Sequence, residues 1–280
     1  MQIRELENTL QAALFERSAR HVRLTGIGEL LLGRARAILR SVDDLSELAQ
    51  AAQGWMTGRL RIGVIPTIAP YLLPQVIRAL TGAHPQLDIH VRESLTQTLL
   101  EELAEGRLDT AILALPVAAA GLVEKPLFSE AFVLVRPASD ALKPAPDIDA
   151  LRDMRVLLLE EGHCFRDQAL ALCNLQPART REVLDGSALS TLVQMVGAGI
   201  GVTLIPEIAV PVETRSATVD VVRFDDPPPS RQIGMVWRAS SPLGGQLADI
   251  AQIVAQAATD LRGTGTAAPG LQPGAAEPGL

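Results

Sequence analysis

Apolar residues recur with different periods in different stretches of this chain, and each period predicts an element. Within residues 2–15, Ile3, Leu6 and Leu10 fall on one helical stripe, with Arg4, Glu5 and Glu7 off it. Over residues 15–24 the pattern changes, and Arg17, Arg20, His21 and Arg23 interleave with apolar positions. A short ribbon with a basic edge fits that alternation, and such an edge can lie along phosphates. Thr25-Gly26 then opens a long helical pattern over residues 27–53, with leucines at 30, 31, 39, 45 and 48 and no internal proline. Its length and apolar stripe predict a helix–helix dimer contact. A solvated connector helix is the alternative.

Glycines at 54 and 58 mark a boundary, beyond which strand and helix patterns alternate. Residues 60–66 read as a buried strand, 71–82 as helix, 87–92 as an alternating strand, 95–108 as amphipathic helix and 109–115 as strand. Repeated units of this length predict an α/β domain with a mostly parallel sheet and helices on both faces. The chain is expected to cross into a second lobe near residues 132–136. That lobe takes strands at 156–159 and 180–184 and a helix at 190–196, before a return at 232–237 and a closing helix at 243–261. Gly197-Ala-Gly-Ile-Gly201 follows a helix and precedes an apolar run, the reverse of a dinucleotide loop, so it reads as helix termination. Residues 263–280 are rich in Gly, Pro and Ala, and are expected to form a disordered tail.

Composition narrows the function classes. A hydrophobic fraction of 48% sustains a sizeable core and excludes global disorder. Aromatics at 3% argue against stacking platforms for single-stranded nucleic acid. The net charge of −7 means that any nucleic-acid contact must be local. The longest apolar stretch, residues 111–123, contains Pro116 and is too short to span a bilayer. Two cysteines and no secretory leader fit a soluble, cytoplasmic protein in a reducing compartment. There is no P-loop, no Ser-His-Asp signature and no zinc-type spacing, so no cofactor, metal or enzymatic activity is expected. His84 and His90 show no partner in the sequence and are assigned no chemistry.

Both cysteines lie in one segment, Glu160 to Cys173. The apolar run Val156-Leu-Leu-Leu159 precedes it, Gly162 breaks the pattern, and residues 167–173 read as helix. Cys164 therefore sits at or near a strand-to-helix turn. Free N–H groups at a helix start favour a thiolate. His163 if protonated, and Arg166, act the same way, which points to a reactive thiol. Cys173, beside Leu172 and Leu175, also fits a small buried hydrophobe. In a continuous helix the nine-residue separation is about 13 Å of rise and about half a turn out of phase. A disulfide needs Cα atoms about 4.4–6.8 Å apart, so pairing requires that the segment unwind or never be regular. That arrangement reads as a conformational switch.

Gly162-His-Cys-Phe-Arg-Asp-Gln-Ala169 followed by Cys173 resembles the redox segment of the OxyR family, the hydrogen-peroxide-sensing LysR-type transcriptional regulators. The resemblance covers about residues 1–262. It implies that Cys164 is the peroxidatic and Cys173 the resolving cysteine of a reversible disulfide. His163, Arg166 and Asp167 are then expected to set the thiol's ionisation and orient the oxidant. Thr67 and Thr96, which by themselves read as turn or cap residues, match threonines that hold peroxide or its ordered water. The implied organisation is a remnant of a winged helix-turn-helix domain at 1–25, a linker and dimerisation helix with hinge at 26–57, and a two-lobed, periplasmic-binding-protein-like regulatory domain at 58–262. Lobe I takes 58–131 and 237–262, and lobe II takes 132–236.

Arg17, Arg20 and Arg23 become DNA-backbone contacts under this resemblance. The family places two helices and the start of the recognition helix ahead of the position of Gln2, so independent sequence-specific binding to promoter DNA is not expected of these 280 residues. The further partners implied are hydrogen peroxide, a cellular thiol reductant and copies of the same chain, a dimer through the linker helix and a tetramer by resemblance. Three other readings stand beside this one: a LysR-type regulator answering a small molecule in the interlobe cleft, a thiol peroxidase, and a bare dimerisation module.

Overall fold

The computed structural model describes residues 2–17, 21–51, 58–172 and 186–265. Helix α1 (Gln2–Leu10) leads into a hairpin of β1 (Phe15–Arg17) and β2 (Val22–Leu24), paired Phe15 to Leu24. Glu7 ties the two together, its Oε1 accepting from the Leu14 N–H at 2.9 Å and the Phe15 N–H at 3.2 Å. Helix α2 (Gly26–Ala51) follows, and Thr25 caps it by accepting the Gly28 N–H at 3.0 Å. The stripe of Ile3, Leu6 and Leu10 is exposed, as are Leu30, Ile38 and Leu39 on α2.

Among the described residues, the body of the protein is an eight-stranded mixed sheet bent around two cores. Strand β3 (Gly58–Val64) lies between β4 (Leu87–Glu93) and β5 (Thr110–Leu115), parallel to both. Helices α3 (Ala69–Ala83) and α4 (Thr96–Ala104) make the crossovers. Helix α4 ends four residues earlier than the apolar pattern predicts, because Gly106 turns the chain at φ +71° and Asp109 is claimed by Arg61. Strand β6 (Leu122–Pro137) then runs for sixteen residues. Its first part pairs with β10 (Ser230–Arg238) and its second part with β8 (Val202–Pro206) and β9 (Val219–Arg223). Both β6 and β10 enter antiparallel, so the sheet is mixed where a mostly parallel one was expected. Hydrophobic period reports which face is buried, not strand direction.

The second core is completed by β7 (Val156–Leu157), parallel to β8, with α5 (Cys164–Leu172), α6 (Leu189–Gly197) and the short α7 (Val210–Glu213). Helix α6 stops at a glycine as expected, with Gly199 at φ +79°. Helix α8 (Gly244–Gly265) packs back on the first core through Leu247, Ile250 and Val254, and extends into the segment expected to be tail. The expected strand at 180–184 and the rest of that tail lie outside the described residues. Among the described residues, no helix is long and apolar enough to cross a membrane. His90 has a partner the sequence did not reveal, the Asp88 carboxylate at 2.8 Å on the exposed strand β4.

Candidate functional site

Three segments far apart in the chain converge between the two cores. From the first come Ile65-Pro66-Thr67, where β3 hands over to α3, and Leu95-Thr96, where β4 hands over to α4. From the second comes the turn that ends β7 and opens α5. Gly162 makes that turn at φ +96°, a region costly for any side chain, and a Cβ there would stand 3.0 Å from Leu95 Cδ1. The turn is pinned by its own residues. Arg166 donates its Nη1 to the Leu159 carbonyl at 2.7 Å, and its N–H to the His163 carbonyl at 2.9 Å.

Cys164 is consequently the first residue of α5 and carries a free, half-buried thiol. It packs against the first core while its neighbour Phe165 is buried in the second. Thr67, Thr96, His163 and Cys164 line one narrow, closely packed recess walled by Ile65, Leu95 and Phe165. Two expectations change here. Burial lowers the His163 pKa, against the opposing pull of Glu160, which favours the neutral ring over the positive charge expected. Arg166 and Asp167 do not line the recess: Arg166 holds the Leu159 carbonyl, and Asp167 is exposed in the first turn of α5.

The threonines differ from cap residues too. The N-cap of α4 is Leu95, and no side-chain capping bond is made. Thr96 Oγ1 is buried and, among the described residues, has no hydrogen-bond partner. A buried hydroxyl left so costs about 1–3 kcal/mol, which a small polar guest in the recess would recover. Thr96→Val is therefore expected to leave thermal stability unchanged or raise it by about 1 kcal/mol. The same variant should slow any reaction of Cys164 with a hydroxylic oxidant. Paired melting and thiol-loss measurements check both halves.

Thr67 is buried and its Oγ1 accepts from Arg231 Nη1 at 2.9 Å, which leaves the hydroxyl proton to donate elsewhere. Arg231 is itself buried with Glu130: Nε and Nη2 both donate to Oε2 at 2.7 Å. Its guanidinium lies 5.3 Å from the Phe165 ring centroid, and Phe132 meets the same ring edge-on at 5.2 Å. Burial pushes the Glu130 carboxyl up, opposed by Arg231.

Residues 53–259 match the family of LysR substrate binding domains. The chain is 45% identical over 260 residues to a probable hydrogen peroxide-inducible genes activator of Streptomyces viridosporus, covering 91% of this chain and 83% of that one. It is 40% identical over 258 residues to the DNA-binding transcriptional dual regulator OxyR of Escherichia coli K12, covering 90% and 84%. The chain belongs to the OxyR family. A solved structure of Corynebacterium glutamicum OxyR, a cysteine-to-serine mutant with hydrogen peroxide bound, superposes with a TM-score of 0.74 at 35% identity over 95% of this chain and 86% of that one. OxyR proteins are LysR-type transcriptional regulators, not enzymes.

Within this OxyR-family chain, the sequence reading omitted Arg231 and Glu130. The available signal was a charged residue two positions ahead of an apolar strand run, Arg231 ahead of Ile233-Gly-Met-Val and Glu130 ahead of Phe132-Val-Leu-Val. Among the residues expected near DNA, Arg17 lies in β1, Arg23 is exposed on β2, and Arg20 falls outside the described residues, as does Cys173.

Proposed function

We propose that this protein is a peroxide-responsive transcriptional regulator switched by a reversible Cys164–Cys173 disulfide. The observation that carries this reading is the convergence of Thr67 and Thr96 from one core with His163 and Cys164 from the other on one recess. The Cys164 thiolate at the start of α5 attacks one peroxide oxygen. The O–O bond breaks, hydroxide leaves and takes up a proton to become water, and Cys164 becomes a sulfenic acid. The Thr67 hydroxyl, aligned by Arg231, and the Thr96 hydroxyl hold the oxidant. His163 serves as the neutral hydrogen-bonding partner, and Arg166 and Asp167 act through the turn and first helical turn that hold Cys164. Cys173 then displaces water from the sulfenic acid, giving the disulfide. Helix α5 holds residues 164–172 regular, so on this reading it must unwind for the two sulfurs to meet.

That remodelling, in residues 58–262 of a homo-oligomer, is the covalent bias that a DNA-bound regulator needs. Cellular thiols reverse it. A second reading rests on the cleft of about 380 Å³ beside the recess, lined by Ser94, Ser187 and Ser190 among others, which has room for a small-molecule effector. Mass spectrometry of the reduced protein after equimolar hydrogen peroxide decides between them. The expected result is loss of two hydrogens mapped to Cys164 and Cys173, reversed by dithiothreitol and absent in Cys164→Ser. Two thiols that both remain alkylatable would refute the redox reading and favour the cleft effector.

A further inference from the structure

The recess is assembled from two bodies, so something has to hold the first against the second to within the tolerance of a bond-forming reaction. Its first-core wall, Thr67, precedes α3 by two residues, and Tyr71 sits in the opening turn of that helix, its N–H bonded to the Ile68 carbonyl at 3.1 Å. Tyr71 does not join the core of its own helix. It is buried in the second core, with Phe132 and Leu189. At the end of that reach its phenol donates to Glu213 Oε1 at 2.6 Å. Glu213 closes α7, which packs on α6, the helix whose start lines the cleft beside the recess. Burial, with Glu213 second, raises the Tyr71 pKa, so the phenol stays protonated and the direction of donation is set.

Resting on the peroxide reading above, we propose that Tyr71 and Glu213 form an interlobe clasp whose hydrogen bond positions Thr67 opposite Cys164. Neither residue lines the recess around Cys164, so they are positioning residues, acting through the turn between β3 and α3. Arg231 fixes the Thr67 hydroxyl directly, and the clasp fixes the turn that carries it. A short, charge-assisted bond suits this role better than apolar packing, because it specifies one distance and one direction.

The test is the second-order rate of Cys164 thiol loss with hydrogen peroxide, followed by rapid quench and mass spectrometry in the full chain, alongside thermal melts. Tyr71→Phe keeps the buried ring and removes only the donor. Glu213→Ala removes the acceptor, and Glu213→Gln keeps one. The first two should each slow oxidation about tenfold, which converts to about 1.4 kcal/mol of barrier, and their combination should be no slower than either alone. Glu213→Gln should stay within about threefold of the wild type, since an amide oxygen still accepts the phenol proton. A Tyr71→Phe variant that reacts at the wild-type rate overturns the clasp, as do single-variant effects that multiply in the double. A wild-type chain that does not lose its thiols overturns the peroxide reading itself, so the two failures are told apart.

Discussion

Arg231→Ala is expected to destabilise the folded protein by about 3–5 kcal/mol, the range found when one partner of a buried ion pair is removed. Both partners are nearly sealed from water, at 1% and 3% side-chain exposure, and Glu130 would be left without its counter-charge. Arg231 also donates to the Thr67 hydroxyl and carbonyl and covers the Phe165 ring, so its loss reaches the site as well as the fold. Lysine is a poor replacement, because a single ammonium cannot serve Glu130 and Thr67 with the geometry of a planar fork. The defect should depend on pH in a definite direction. Burial already pushes the Glu130 carboxyl up, and without Arg231 nothing comparable opposes it. A carboxyl whose folded pKa exceeds its unfolded one costs stability at high pH, and the cost disappears as pH falls below the unfolded value. Denaturant midpoints at pH 8 and pH 5 should therefore converge toward wild type at the lower pH. A constant deficit across that window would mean that lost packing, not an orphaned charge, explains the variant.

Phe165→Ala is expected to cost about as much, 3–5 kcal/mol for a buried ring, but to spend most of it locally. Helix α5 has nine residues, and Phe165 and Ala169 are its buried anchors. A helix that short is marginal in water by itself, so its order comes from the ring lodged against Phe132 beneath Arg231. Without that ring α5 should open, and the amides of residues 164–172 should exchange hydrogen close to the unprotected rate while strands β3 and β5 keep their protection. The sulfenic acid, once formed, should then reach Cys173 without a helix to dismantle. Retained protection across α5 in this variant would show that the backbone bonds of Arg166, not the aromatic anchor, hold the helix.

The parts of the fold legible in the sequence are those where one short-range rule dominates. Strands β3 and β4 and helix α3 fall within about two residues of their expected bounds because period and glycine breaks agree there. Cys164 is legible as the residue at a helix start because Gly162 breaks the apolar run before it, and the structure puts it at the first position of α5. What stayed hidden depends on tertiary partners. Glu130 and Arg231 are ordinary solvent residues in a list of letters, and become a buried pair only once β6 and β10 are laid side by side. Thr96 looks like a cap, and only the fold shows that Leu95 holds the cap position and that the hydroxyl faces the thiol's recess. Tyr71 lies in an apolar helix pattern that says nothing of which core will receive it.

Strand β6 carries one more implication. Its sixteen residues extend for about 50 Å, and the ladder, with one register shift beside Leu127, passes from partners in the first core to partners in the second. A beam bonded along both halves resists bending, since a bend must break rungs, but yields to twisting, since strands are already coiled. If the Cys164 switch operates as proposed, this beam is expected to turn it into torsion, so that one lobe rolls against the other instead of gaping and a surface changes its azimuth rather than a mouth its width.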